Sequence, residues 1–132
     1  MNNISNFIIE KLKINSKSKI GKDRKNWSIE KARDGDIIKW NTKNNNTLFF
    51  IYKCLNENKK YNKFIDENSI VYHAALNMTR NVFYLGPEVG VGSIENKDEY
   101  TLASDEECDK FYELLKNHNY IWDSVKLKLI KI

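Results

Sequence analysis

The C-terminal stretch of the chain carries the clearest local signals: Tyr100-Thr-Leu-Ala-Ser104-Asp-Glu-Glu107-Cys-Asp-Lys-Phe-Tyr-Glu-Leu-Leu-Lys-Asn-His-Asn-Tyr-Ile-Trp-Asp-Ser-Val-Lys-Leu-Lys-Leu-Ile-Lys-Ile132. Ser104 with Glu107 three positions later is a capping box, in which each side chain accepts a hydrogen bond from a backbone N–H at the start of a helix. The acidic residues beside them add negative charge at the positive end of the helix dipole. A helix is therefore predicted to begin at this point.

The residues behind the cap repeat at helical spacing and form one apolar stripe: Cys108, Phe111, Leu114 and Leu115. The sequence Asn117-His118-Asn119 predicts the end of the helix, because Asn tolerates the left-handed conformation that terminates helices. Residues 125–129 then alternate between apolar residues and Lys, with the period of a strand that buries one face. We expect this last strand to return to the sheet.

Four more strands are predicted upstream, over residues 36–40, 47–55, 69–76 and 82–85. The second is apolar on both faces and is therefore expected to be central. An Asp34-Gly35 turn precedes the first strand. Consecutive strands joined by short turns favour antiparallel pairing. The predicted fold is α+β: a small, mainly antiparallel sheet or partly open barrel of about five strands, with one C-terminal helix and a returning C-terminal strand.

The composition is that of a globular protein. The chain has 132 residues, 41% of them hydrophobic and 30% charged, which suits one domain that buries roughly two-thirds of its unfolded surface. The longest apolar run, residues 48–52, is too short to span a bilayer. No signal peptide is recognisable at the N-terminus, so export by that route is not expected.

The positive charge is concentrated in an N-terminal arm, residues 1–26, ahead of one predicted globular domain, residues 27–132. The arm holds seven cations and two carboxylates, a charge of +5 where the whole chain carries +4, so the domain carries −1. It also holds an apolar cluster that needs a partner surface. The arm is either loose or docked, and its candidate partner contacts are Phe7, Ile8, Ile9, Leu12, Lys11, Lys13, Lys17 and Lys19.

Two predicted loops provide further candidate contacts. Residues 56–68 form a long polar connection that carries Tyr61 and Phe64, and residues 86–93 form a glycine-rich loop that carries Pro87 and Val89. A phosphate-binding role for the second loop is disfavoured, because no Lys-Ser or Lys-Thr follows Gly92 and the next helix begins with acidic residues.

Signals for catalysis and for metal binding are weak. Cys54 and His73 together suggest a small cysteine hydrolase, but both lie on predicted apolar strands and are better explained as core residues. Cys108 lies on the buried stripe of the helix, and neither His73 nor His118 has a ligand partner at a characteristic spacing. We therefore predict no catalytic residue, no metal site and no cofactor.

Nucleic-acid binding is a possible role for the arm alone. Its cations could neutralise phosphates and give salt-dependent, sequence-independent affinity. The domain is slightly acidic and has no recognisable reading motif. A solvated tail or a protein-docking arm is therefore favoured over a nucleic-acid contact.

The domain resembles a family of uncharacterised proteins encoded by gut Bacteroidales and their phages, including crAss-like phages. The resemblance covers residues 27–132 and rests on Trp27-Ser-Ile-Glu-Lys-Ala-Arg-Asp-Gly35-Asp36-Ile-Ile, the Leu48-Phe-Phe-Ile-Tyr52 strand, Tyr100-Thr-Leu-Ala-Ser104 with its helix, and Tyr120-Ile-Trp122-Asp123. The chain departs from the family where Asn-His-Asn replaces the usual Gly at the helix end, and residues 56–92 match only loosely. The resemblance implies a phage or mobile-element setting and no particular chemistry.

These observations together favour a non-catalytic, phage-encoded interaction module. Its leading version is a virion-associated accessory or structural protein that docks on other phage proteins through its N-terminal arm, without a membrane. The alternative is a host-directed inhibitor or sequestering protein in the infected cell, and a small hydrolase ranks third. The expected location is accordingly the virion or the host cytoplasm.

Overall fold

The computed structural model describes residues 26–132, except for the side chain of Val91. Contacts divide these residues into two compact units, Asn26–Leu102 and Ala103–Ile132. Within these residues the architecture is α+β, with one open antiparallel sheet, one α-helix near the C-terminus and a C-terminal β-hairpin. The predicted fold class is confirmed. The arm residues proposed as contacts, from Phe7 to Lys19, lie outside the described residues.

The first unit is a five-stranded sheet. Its strands are β1 (Ile37–Asn41), β2 (Thr47–Leu55), β3 (Ser69–Asn77), β4 (Val82–Ser93) and β5 (Tyr100–Leu102), in the order β4-β3-β2-β1-β5. Every neighbouring pair is antiparallel. β2 lies at the centre, as its two apolar faces predict.

Burial explains why β2 organises the sheet. Four consecutive residues, Phe49–Tyr52, are buried, and such burial of both faces is typical of a central strand. Register shifts on either side of Tyr52 interrupt its pairing with β3. The core cluster around β2 comprises Ile29, Ile38, Phe50, Tyr52, Ile70, Ala75 and Tyr100.

Short turns precede or connect the strands of this unit. Asp34-Gly35 makes the predicted turn, with Gly35 at φ 96°, a value that glycine adopts readily because it lacks Cβ. A 3₁₀ turn at Ile29–Lys31 precedes it, but Ser28 makes no side-chain capping bond there. Two more 3₁₀ turns lie at Glu57–Lys59 and Lys97–Glu99.

The prediction of a glycine-rich loop at residues 86–93 was wrong. These residues continue β4, which is twelve residues long and pairs with β3 from Val82 to Ser93. The glycines permit close packing rather than a flexible turn. A Cβ on Gly86 would lie 2.1 Å from the carbonyl oxygen of Tyr72, and one on Gly92 would lie 2.6 Å from the hydroxyl of Tyr100.

The second unit begins with helix α1 (Asp105–Asn117). The capping box forms as predicted: the Glu107 N–H donates to Ser104 Oγ at 3.2 Å, and the Ser104 N–H donates to Glu107 Oε1 at 2.9 Å. The helix ends at the predicted place, and Asn119 adopts the left-handed conformation with φ 70°. Its buried residues are Cys108, Phe111, Tyr112 and Leu115.

The chain ends in a hairpin of β6 (Tyr120–Asp123) and β7 (Lys128–Lys131). The expected strand over residues 125–129 is shifted, because residues 124–127 form the turn and Val125 is 71% exposed. Asp123 Oδ1 accepts from the N–H groups of Val125 and Lys126, which stabilises the turn. The last strand therefore pairs with β6 and not with the five-stranded sheet.

Candidate functional site

A groove of about 600 Å³ lies on the five-stranded sheet. Its size falls in the range of ligand-binding clefts. All of the described residues that line it belong to the first unit. They are Trp40, Thr42, Lys43, Asn44, Asn46, Leu48, Phe50, Ile70, Tyr72, Ala75, Asn77, Tyr84, Glu88, Val89, Gly90, Gly92, Asn96, Glu99 and Tyr100.

Strand pairing brings the aromatic residues of this groove together. Trp40 on β1 lies directly across from Tyr100 on β5, and their rings stack with centroids 5.6 Å apart and an interplanar angle of 29°. Phe50 meets Tyr100 edge-on at 6.2 Å. These arrangements are the favourable ones for aromatic pairs. Tyr100 is buried, whereas Trp40 is half-buried and presents part of its indole to the groove.

Two carboxylates in the groove contact aromatic donors, one closely and one at longer range. Trp40 Nε1 donates to Glu99 Oε1 at 2.9 Å, and the Tyr72 hydroxyl donates to Glu88 Oε2 at 3.4 Å. Burial and the adjacent Glu88 raise the pKa of Tyr72 to about 12, and burial followed by Glu99 raises the pKa of Tyr100. Both phenols therefore stay protonated at neutral pH and remain hydrogen-bond donors.

Charge and shape together define what this groove can accept. Among the described residues that line it, the carboxylates are those of Glu88 and Glu99 and the one ammonium group is that of Lys43. Aromatic faces attract cations through the ring quadrupole, and carboxylates form charge-assisted hydrogen bonds with them. The arrangement therefore suits a positively charged group flanked by apolar carbon.

Of the predicted contacts in the two presumed loops, Val89 alone lines the groove. Pro87 is exposed on β4 and follows a cis peptide bond from Gly86. Trp40, Tyr72, Glu88 and Glu99 were not predicted as site residues. They come from four different strands or turns and have no shared local pattern, so the pairing of β1 with β5 and of β3 with β4 was needed to find them.

The connection at residues 56–68 is ordered by one buried side chain. Asn56 Nδ2 donates to the carbonyl oxygens of Asn62 and Ile65, at 2.9 Å each, and Asn56 Oδ1 accepts from the N–H groups of Tyr61 and Asn62, at 3.1 Å each. Phe64 is 86% exposed on this connection. The ammonium of Lys63 lies 5.3 Å from the centre of its ring. Tyr61 is partly exposed, and a side-chain hydrogen bond with Cys54 raises its pKa.

His73 is buried and contacts Asp34, with 2.7 Å between His73 Nε2 and Asp34 Oδ1. Burial lowers the pKa of His73, and the hydrogen bond with Asp34 opposes this effect less strongly. The partner was not predicted, because Asp34 lies 39 residues away in the turn before β1. Cys54 is half-buried on β2, and Cys108 is buried in α1.

Residues 26–132 contain no cluster of three or more His, Cys, Asp or Glu side chains arranged to hold a metal ion. Over the same residues, no helix combines the length and the apolar character needed to cross a membrane. Comparison of the chain with protein-family models, with curated proteins and with solved structures gives no match.

Proposed function

We propose that this chain is a non-catalytic interaction module that binds a Lys or Arg side chain of a partner protein in the groove on its five-stranded sheet. One observation carries the proposal: Glu88 and Glu99 border an aromatic groove, and each accepts a hydrogen bond from an aromatic side chain of that groove.

The physical basis is a cation held between ring faces and carboxylates. A cation over an aromatic ring gains about 0.5–2 kcal/mol, more as water is excluded. The 2.9 Å hydrogen bond from Trp40 positions the Glu99 carboxylate before the ligand arrives, which lowers the entropy cost of binding. The longer 3.4 Å contact from Tyr72 holds Glu88 only loosely. A single side chain bound in this way gives weak affinity, and a longer partner segment adds to it.

The biological context that we propose for this module, a bacteriophage, rests on the family resemblance of residues 27–132. It favours a virion-associated accessory protein that docks on other phage proteins, with the basic arm as a second contact. A host-directed inhibitor or sequestering protein would use the same groove on a host factor. Quantitative mass spectrometry of purified particles beside infected-cell lysate separates the two, because only the first requires stoichiometric protein in the particle.

A small hydrolase is the alternative from a different class, and the contact between His73 and Asp34 favours it, since a carboxylate that orients a histidine recurs in nucleophilic catalysis. The test is the alkylation rate of Cys54 by iodoacetamide in the folded protein. A thiolate activated by His73 reacts quickly near neutral pH and slows in His73→Gln. Equal rates in the two proteins exclude this function.

The groove is tested by NMR titration of the ¹⁵N-labelled chain, with the Trp40 indole N–H as reporter and Trp40→Phe to assign its signal. The ligands are Nα-acetyl-lysine methylamide and its norleucine analogue, which matches the lysine chain in length but has no charge. We expect a saturable shift with the lysine compound alone. Glu99→Gln keeps an acceptor for the indole and removes the charge, so affinity should fall at least threefold.

Glu67→Gln is the matched control, because Glu67 is exposed and lies outside the groove lining. It should leave the affinity unchanged. Equal shifts with lysine and norleucine, or no saturable shift, would overturn the proposal. A saturable shift with a neutral oligosaccharide and none with lysine would assign the groove to glycans instead.

A further inference from the structure

β4 is an edge of the five-stranded sheet, and its first half is exposed and apolar. Within the described residues it pairs with β3 on one side. Three large hydrophobic residues of this half are exposed to solvent: Val82 by 37%, Tyr84 by 40% and Leu85 by 48%. Edge strands direct half of their backbone N–H and C=O groups outward, and soluble proteins usually protect them with charge or keep them short. The segment Val82–Leu85 contains no charged residue.

We propose that the edge of β4 at Val82–Leu85 pairs with an extended, basic peptide segment of the partner protein and adds it to the sheet as a sixth strand. This inference rests on the function proposed above and names the form of its ligand. The partner's main chain would bind the edge of β4, and its Lys or Arg side chains would enter the groove.

The geometry of β4 connects the two contacts. Tyr84 is exposed at the edge and also lines the groove, and Glu88 follows on the same strand. Residues that face each other across a ladder direct their side chains to the same face of the sheet. The partner residue opposite Tyr84 would therefore direct its side chain to the groove face, near Glu88. The charge of Glu88, four residues after Tyr84 on the same strand, favours Lys or Arg at that position.

The length of the paired segment is also defined. The turn after Asn77 limits it at one end, and Pro87 limits it at the other, because proline has no N–H to donate to an added strand. Side chains on one face of a strand repeat every second residue. The fitting ligand is therefore a strand of about five residues with a basic residue at alternate positions.

The test uses the full chain and the peptide Ac-Val-Lys-Val-Lys-Val-NH₂. Two variants carry backbone N-methyl groups. The first has them on both lysines, and the second has them on all three valines. Residues on the same face of a strand direct their N–H groups to the same side, so one variant loses every N–H that faces β4 and the other loses none. We expect one variant to lose at least tenfold in affinity, while the other stays within threefold of the parent peptide.

Amide hydrogen exchange supplies the second measurement. Binding of the parent peptide should slow exchange of the outward amides within Val82–Leu85 at least fivefold, and the Val-Glu-Val-Glu-Val peptide should not. If the parent peptide shifts the Trp40 indole while these amides stay unprotected and both N-methyl variants bind equally, the edge pairing is wrong and the groove proposal stands. If no peptide shifts the indole, both fail.

Sedimentation of the free chain completes the design. A monomer is expected at the concentrations of the titration. A dimer whose β4 amides are already protected would overturn the inference, because the strand added to this edge would then be a second copy of the chain.

Discussion

A single asparagine determines the conformation of the longest connection in the described chain. Asn56 is fully buried, and its side chain bonds four backbone groups of residues 61–65. Buried polar groups of this kind are stabilising only while all of their partners are present. The connection is therefore an ordered surface segment on which Phe64 is exposed to solvent, and not a loose insertion.

Asn56→Ala should lower the free energy of unfolding by about 2–3 kcal/mol, because four backbone groups lose their partner at once. Urea denaturation measures the loss, and limited proteolysis should locate new cleavage within residues 56–68. Asn44→Ala, at an exposed position, is the control and should stay within about 0.5 kcal/mol of wild type. Equal stability of the two variants would contradict the role assigned to Asn56.

His73 predicts how stability depends on pH. Burial lowers its pKa in the folded protein, below the ordinary value of 6.5. The unfolded chain therefore binds a proton at a pH where the folded protein does not. The stabilising contribution of the neutral His73 side chain is complete at pH values above 6.5. It declines as the pH falls through 6.5 toward the pKa that His73 has in the folded protein.

Urea denaturation of wild type and His73→Gln between pH 7.5 and 5.0 tests this sign. The wild type should lose more stability over that range than the variant does. Asn56→Ala, which removes no titratable group, should keep the wild-type slope. A His73→Gln slope equal to that of wild type would show that burial does not disfavour the charged imidazole.

At the scale of the element, β4 shows why a sequence pattern misled us. Gly86-Pro87-Glu-Val-Gly90-Val-Gly92 has the composition of a loop, but two of its glycines, Gly86 and Gly92, are required by contacts from other strands. The nearest atoms to a Cβ at Gly86 and at Gly92 belong to Tyr72, on β3, and to Tyr100, on β5. No local rule detects such a requirement, because it depends on how other strands pack against β4.

Alanine at each glycine of β4 should give graded effects. Gly86→Ala places Cβ 2.1 Å from a backbone oxygen and should cost about 3 kcal/mol or prevent folding. In Gly92→Ala, Cβ meets the Tyr100 hydroxyl at 2.6 Å, so a loss of about 1–2 kcal/mol and a shifted Trp40 indole signal are expected. Chemical denaturation and NMR measure both effects.

Gly90→Ala is the matched control of this series. Its nearest contact, with the Tyr72 ring, is 3.4 Å, and the loss of backbone freedom in the unfolded chain offsets any crowding. Its stability should change by less than about 1 kcal/mol. A loss as large as that of Gly86→Ala would show that β4 needs glycine for backbone conformation and not for space.

At the scale of the whole molecule, local signals predicted the elements well and the site poorly. The capping box at Ser104, the helix end at Asn119 and the central strand Thr47–Leu55 were all legible, because each depends on neighbours in the sequence or on its own periodicity. The groove depends on strand order, which brings Trp40 next to Tyr100. The register of the final hairpin depends on the turn that Asp123 stabilises. The alternation of Lys with apolar residues predicted a strand across that turn.

Deleting residues 1–25 tests the arm as a docking element. We expect the melting temperature to stay within about 3 °C, a change below roughly 1 kcal/mol for a domain of this size, while binding to purified particles is lost. Lysine binding in the groove should be unaffected, because the described residues that line it run from Trp40 to Tyr100 and carry both carboxylates, Glu88 and Glu99.

Two other outcomes would change this view of the arm. A large fall in melting temperature would show that the arm belongs to the core. Loss of a particle interaction that also weakens steeply with salt would instead indicate nucleic-acid contacts made by its lysines.

The two edges of the five-stranded sheet differ greatly in length. β4 has twelve residues, whereas β5, at the opposite edge, has three. Growth of a fibril requires a molecule that adds strands at both of its edges, since each newcomer must in turn offer a template. Within the described residues, this five-stranded sheet has one long edge and one short edge, so it can accept a strand but cannot pass the pairing on. Accidental self-association through the edges of this sheet should therefore stop at two molecules, and the apolar edge of β4 can persist without propagating a fibril through it.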